Sequence, residues 1–129
     1  MTNRKMHKSV LALAIPLLVS TPAAAHHSAS GYDKERPVEL TGVVKQFRWV
    51  NPHSFLYLEV PGKGGAKTVW EIEGPSVMML ARNGWKNTSI KPGERIRVLI
   101  APAKGGRPAG SFMRVFRPDG AVLETGRIK

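Results

Sequence analysis

The residues best suited to chemistry are histidines. His26 and His27 follow Ala23-Ala24-Ala25, the small-residue pattern that a signal peptidase cuts. Cleavage after Ala25 leaves a chain that begins with histidine. Its α-amine, with a pKa of about 7.7–8.0, and its imidazole can close a chelate ring on a metal ion. His53 adds an imidazole from a turn, and His27 is a spare ligand or a group behind the ligands. Such nitrogen donors favour Cu(II), with Zn(II) next. The metal candidates are therefore His26, His27 and His53. The plainer account is two solvated histidines on an arm and a His53 that hydrogen-bonds its own turn.

A second set of residues suits ligand binding. Arg48, Trp49, Asn51 and Tyr57 surround the His53 turn, while Lys104 and Arg107 lie in a basic Gly/Pro loop over residues 102–110. Aromatic surfaces beside basic loops suit sugars, single-stranded nucleic acid or acidic peptides. Trp49, Trp70 and Trp85 are expected in the core before they are expected in a binding surface, since aromatics dominate small cores. Met78, Met79 and Met113 bring thioethers, which select Cu(I), but Met78 and Met79 are expected on a helix face in the core. Glu71 and Glu73 alternate on a strand, about 7 Å apart, and are expected to pair with Lys or Arg across strands. No nucleophile elbow, phosphate loop or zinc-protease helix motif is present. The sequence points to a protein that is not an enzyme.

The elements that must position these residues are short strands. Residues 26–36 read as a loosely held arm. Val38 to Trp49 is rich in β-branched and aromatic residues and predicts a strand, with Gly42 marking a bulge or a bend. Asn51-Pro52-His53-Ser54 is a turn, with Pro at its second position. Phe55–Val60 and Thr68–Glu73 are the next strands, separated by the turn Pro61-Gly62-Lys63-Gly64-Gly65. Ser76 is the N-cap of a two-turn helix that ends at Asn83-Gly84, and Trp85 returns the chain to the core. Ile96, Val98 and Ile100 alternate with Arg95, Arg97 and Leu99 in a fourth strand. Ser111–Phe116 and Val122–Thr125 follow, joined by the turn Pro118-Asp119-Gly120.

Three strands, a helix, then two or three strands is the order of the OB-fold. The expected fold is all-β with one short helix, a small OB-fold-like barrel of five to six strands over residues 37–129. A small barrel or sandwich of another topology is the alternative. OB-folds bind on the face of strands two and three, between the loops joining strands one to two and four to five. Those loops hold His53 and Lys104–Arg107, so one face would gather both sets of candidates.

Residues 1–25 read as a secretory leader. Arg4, Lys5 and Lys8 precede an apolar run from Val10 to Val19, broken only by Pro16. That run is shorter than the roughly 20 residues a bilayer span needs. The expectation is a periplasmic protein with no membrane span after cleavage; an uncleaved anchor is the alternative. The chain has no Cys, so neither a disulfide nor a thiolate metal site can form. The leader holds three of the twenty basic residues and none of the nine acids, so cleavage lowers the net charge from +11 to +8. That sign favours an anionic ligand or an acidic protein partner, or serves solubility alone. Export excludes genomic DNA. An accessory subunit of an exported complex is a further alternative.

Several segments together resemble a known group. They are His26-His27-Ser28, Leu40-Thr41-Gly42, Trp49-Val50-Asn51-Pro52-His53, Trp70-Glu71-Ile72-Glu73-Gly74, Gly84-Trp85, Lys91-Pro92-Gly93 and Pro118-Asp119-Gly120. The chain is similar to a family of small exported bacterial proteins of unknown function. The resemblance implies export and a small β-barrel, and it supplies no activity. Ala29 stands where members of that family often carry an aromatic residue.

Overall fold

In the strand Arg95–Pro102, Ile96, Val98 and Ile100 are buried while the alternating Arg95 and Arg97 are exposed. This period of two lets one face of a strand enter a core while the other meets water. Leu56 and Leu58 do the same in the strand Phe55–Pro61. The computed structural model describes residues 31–125. The expected leader and the candidate ligands His26 and His27 lie outside the described residues.

The strands are β1 (Val38–Arg48), β2 (Phe55–Pro61), β3 (Lys67–Glu73), β4 (Arg95–Pro102), β5 (Ala109–Phe116) and β6 (Val122–Glu124), with helix α1 (Val77–Arg82) between β3 and β4. They agree with the sequence reading to within one or two residues at most ends. β1 pairs antiparallel with both β2 and β4, and β2 pairs antiparallel with β3. β4 pairs antiparallel with β5. Closure comes from a short parallel ladder in which Glu71, Ile72 and Glu73 meet Ala109, Gly110 and Ser111. The ring β1-β2-β3-β5-β4 is a closed five-stranded barrel of OB-fold order, and β6 adds to the second half of β5.

The interior holds Val44, Leu56, Leu58, Ile72, Ile96, Val98, Ile100, Phe112 and Val115, with Leu80, Trp85 and Ile90 joining them. Trp85 is 2% exposed and stacks on Phe112, with ring centroids 5.6 Å apart. Phe47 lies against Trp85, and Trp49 meets Phe47 edge-on at 5.8 Å. The indole N–H of Trp85 donates to the carbonyl of Glu124 at 2.9 Å, which satisfies the ring's polar atom and ties down β6.

Three expectations need correction. The irregularity in β1 falls between Val44 and Gln46, so the extra residue is Lys45 and not Gly42. Gly42 serves close approach instead: a Cβ there would sit 2.4 Å from the Glu59 carbonyl. Met78 and Met79 are not core residues. Only Leu80 of the six helical residues is buried, and Met78 and Met79 are 60% and 49% exposed. A two-turn helix presents too narrow a stripe to bury all its apolar residues.

The third correction concerns the arm. Residues 31–33 are held in place. Tyr32 bridges antiparallel to Ala103, Asp33 N–H donates to the Pro102 carbonyl at 2.8 Å, and Lys104 N–H donates to the Gly31 carbonyl at 3.0 Å. Asp33 then staples the following bend. Its Oδ1 accepts from the N–H groups of Glu35 and Arg36, and its Oδ2 from Arg36 Nε at 2.8 Å. Desolvation pushes the Asp33 carboxyl up, but the Arg36 and backbone donors together outweigh it and hold the group below its ordinary range.

Candidate functional site

The site forms where β3 ends and the β1–β2 turn folds over it. The turn is bolted to residues 74–77 by backbone and side-chain groups. Ser54 N–H and Oγ both donate to the Pro75 carbonyl, at 3.1 and 2.9 Å, and Gly74 N–H donates to the Ser54 carbonyl at 2.8 Å. Asn51 Oδ1 accepts from Val77 N–H at 3.1 Å, and Ser76 Oγ accepts from Met79 N–H at 3.3 Å. These two side chains satisfy donors that the first turn of α1 would leave open. Gly74 is required because a Cβ would sit 2.2 Å from the Phe112 ring and 2.5 Å from Ser54 Oγ. The Asn51-Pro52 peptide is cis, where the sequence reading placed proline in an ordinary turn.

This framework brings two side chains to one carboxylate. His53 Nδ1 lies 3.0 Å from Glu73 Oε1 and 3.3 Å from the Gly74 carbonyl. The Tyr32 hydroxyl donates to Glu73 Oε2 at 2.5 Å. Two acceptors around Nδ1 assign the imidazole proton to that nitrogen, so in the neutral ring the lone pair is on Nε2. Burial, then the Glu73 hydrogen bond and charge, push the Tyr32 phenol up to about 12.

Beside this cluster is a groove of about 410 Å³, lined by His53, Glu73, Tyr32, Lys34, Met79 and Phe112 among others. Tyr32 and Lys34 also line a second hollow of about 500 Å³, together with Asp33, Glu35, Arg36 and Lys104. The arm is thus the wall between the two. Among the described residues neither Lys34 nor Lys104 forms an ion pair, whereas Arg36 pairs with Asp33. Also among the described residues, no group of three His, Cys, Asp or Glu side chains is placed to hold a metal ion, and no helix is long and apolar enough to cross a membrane.

The residues singled out from sequence separate into two groups. Tyr57 and Arg107 meet at Glu71: the Tyr57 hydroxyl donates to Oε2 at 3.3 Å, and Arg107 lies 3.6 Å from Oε1. Glu71 and Tyr57 are register partners, as are Glu73 and Phe55. These residues therefore share the β2–β3 face with the His53 cluster. Lys104 belongs to the second hollow. The others serve the framework. Arg48 lies over the Phe55 ring at 5.8 Å, Trp49 packs against the core, and Asn51 caps α1.

Glu71 has the basic partner expected of it. Glu73 does not; its partners are a phenol and an imidazole. Tyr32 was missed. The available signal was a lone aromatic in a small, polar arm, followed at once by the turn-forming Asp33.

Comparison with known proteins adds one finding. A family of unknown function, DUF6152, matches residues 15–112, well over half of the chain. The chain belongs to that family. No curated protein and no solved structure matches it.

Proposed function

We propose that this DUF6152 protein is an exported, non-enzymatic binding module whose ligand engages the His53 turn and the basic β4–β5 loop together. One observation carries the reading: Tyr32 is paired by backbone to Ala103 in that loop and hydrogen-bonded by side chain to Glu73, which also holds His53. Two loops distant in sequence thereby become one edge of the barrel. An anionic ligand, such as an acidic stretch of a partner protein, fits the charge there. Arg107 is engaged by Glu71, but Lys34 and Lys104 meet no carboxylate among the described residues. The probe is a short oligoglutamate peptide titrated into the processed protein and followed by amide chemical shifts. Shifts at residues 32–34, 53 and 103–104 are expected. They should weaken with salt and with Lys34→Ala plus Lys104→Ala. Binding that ignores both salt and the double substitution would refute an electrostatic role for this edge.

A second reading is favoured by the orientation of His53. A ligating histidine commonly donates its other ring nitrogen to a carboxylate or a carbonyl, and Nδ1 does so here. The arm is pinned at Tyr32, six residues after His26. That stretch can extend at most about 20 Å, so a mature N-terminal His26 can meet His53 on Cu(II) or Zn(II). One extra residue before His26 would displace the terminal amine from its imidazole. Cu(II) affinity should then collapse, and equal affinity of both forms would remove this reading.

A further inference from the structure

We propose that the strand edge at Pro102–Lys104 is a docking site for an extended, tyrosine-bearing segment of a partner protein, and that the Gly31–Asp33 arm fills this site within the chain until the partner displaces it. The inference goes beyond the anionic reading. It uses the backbone of this edge and the Glu73 carboxylate, not the lysine side chains. Three observations support it.

The first is how the arm is seated. Asp33 N–H donates to the Pro102 carbonyl and Lys104 N–H to the Gly31 carbonyl, one on each side of the antiparallel Tyr32–Ala103 bridge. The pairing of β1 with β4 ends at Val38 and Ile100. Past that point the β4 edge would lie open, and the arm occupies it as an added strand. Main-chain hydrogen bonds of this kind serve any extended segment, and contacts to its alternate side chains select among them.

The second is the selecting contact. Ala101, Ser111 and Glu73 are successive register partners across β4, β5 and β3. The side chains of Ala101 and Ser111 are short, so a long side chain on the added strand can pass over them to Glu73. Tyr32, opposite Ala103, makes this reach and donates its hydroxyl to Glu73 Oε2. The contact asks for a neutral phenol: phenylalanine brings no donor, and a phosphorylated tyrosine would meet the carboxylate with like charge.

The third is how little holds the arm. The barrel strands pair over continuous ladders, whereas the arm has a single bridge. Tyr32 is not one of the core residues, so release of the arm leaves the core and the β1–β4 ladder intact. Segments with few buried apolar contacts open first. Tyr32 also lines both hollows, so its release joins them along the freed edge.

The test uses the processed protein, its Tyr32→Ala variant and a peptide of residues 28–36, whose acidic and basic charges cancel. The peptide should bind Tyr32→Ala and shift the amide signals of Glu73, Ala103 and Lys104. The parent should bind it at least about tenfold more weakly, because its own arm leaves the edge free only part of the time. The same peptide with alanine in place of tyrosine should lose about tenfold on the variant. In the parent alone, the Asp33 and Lys104 amides should exchange with solvent at least about tenfold faster than those of the β1–β4 ladder. The proposal is overturned if about 5 mM peptide, the scale of a tethered arm's effective concentration, leaves Tyr32→Ala unshifted. It is also overturned if the alanine peptide binds equally, if parent and variant bind alike, or if Asp33 and Lys104 exchange only as slowly as the ladder. That last measurement needs no variant and holds even where Tyr32→Ala fails to fold. Salt and Lys34→Ala plus Lys104→Ala should weaken oligoglutamate binding and leave peptide binding unchanged, so the two readings fail separately.

Discussion

The Tyr32 hydroxyl donates to Glu73 Oε2, joining residues 41 positions apart. It couples the segment before the barrel to the end of β3, across the end of β4 and the start of β5 that separate them in the sheet. The same carboxylate takes His53 on its other oxygen, so arm, turn and strand share a single anchor. Loss of Tyr32 would detach the wall between the groove and the lysine-lined hollow.

The phenol of Tyr32 gives this anchor an alkaline signature. Its value in the folded chain is raised from 10.0 to about 12. The stability it contributes is therefore fully present below pH 10 and is lost as pH rises through about 12. Absorbance titration of phenolate formation should show one tyrosine ionising near pH 12, and Tyr32→Phe should remove that step. A Tyr32→Phe difference titration centred at pH 10 would contradict the part-buried hydrogen bond.

Gly74 is a packing requirement of the site. Gly74→Ala places a methyl group against the Phe112 ring and Ser54 Oγ. Overpacking of this kind costs about 1–3 kcal/mol. Chemical denaturation should show that loss, and Phe112 should shift away from Trp85, altering tryptophan fluorescence. An unchanged midpoint would show that the turn relaxes freely.

Asn51 was read from sequence as a ligand contact, and the structure gives its side chain to α1. Asn51→Ala should cost about 1 kcal/mol, the usual worth of a helix-capping hydrogen bond. Asn51→Asp keeps the acceptor and places a negative charge at the helix start, so it should retain most of the stability. Thermal unfolding of the two variants separates these outcomes. Equal loss in both would mean that the carboxamide N–H₂ matters more than its oxygen.

How much of the molecule was legible varies with the range of the interaction. The strands were legible because period-two alternation, as in Ile96, Val98 and Ile100, is a property of neighbours in sequence. Ser76 and Asn83-Gly84 likewise marked the ends of α1 because caps are local chemistry. The order of elements pointed to an OB-like barrel for the same reason. Lys45 as the bulge was not legible: a bulge is a relation between two strands, and Gly42 looked like the better candidate from one strand alone.

The sequence by itself determined the strand and helix segments, the absence of thiol chemistry, and histidine and basic residues in the loops of an OB-like order. Only the tertiary structure decided which of them meet. The parallel closure of β3 on β5 and the pairing of Gly31–Asp33 with Pro102–Lys104 bring Tyr32 to Glu73. The fold of the turn onto Gly74 and Pro75 brings His53 to the same carboxylate and Met79 to the same groove. Such meetings depend on long-range backbone pairing, whose register is set by the whole barrel and leaves no mark in the spacing of any one segment.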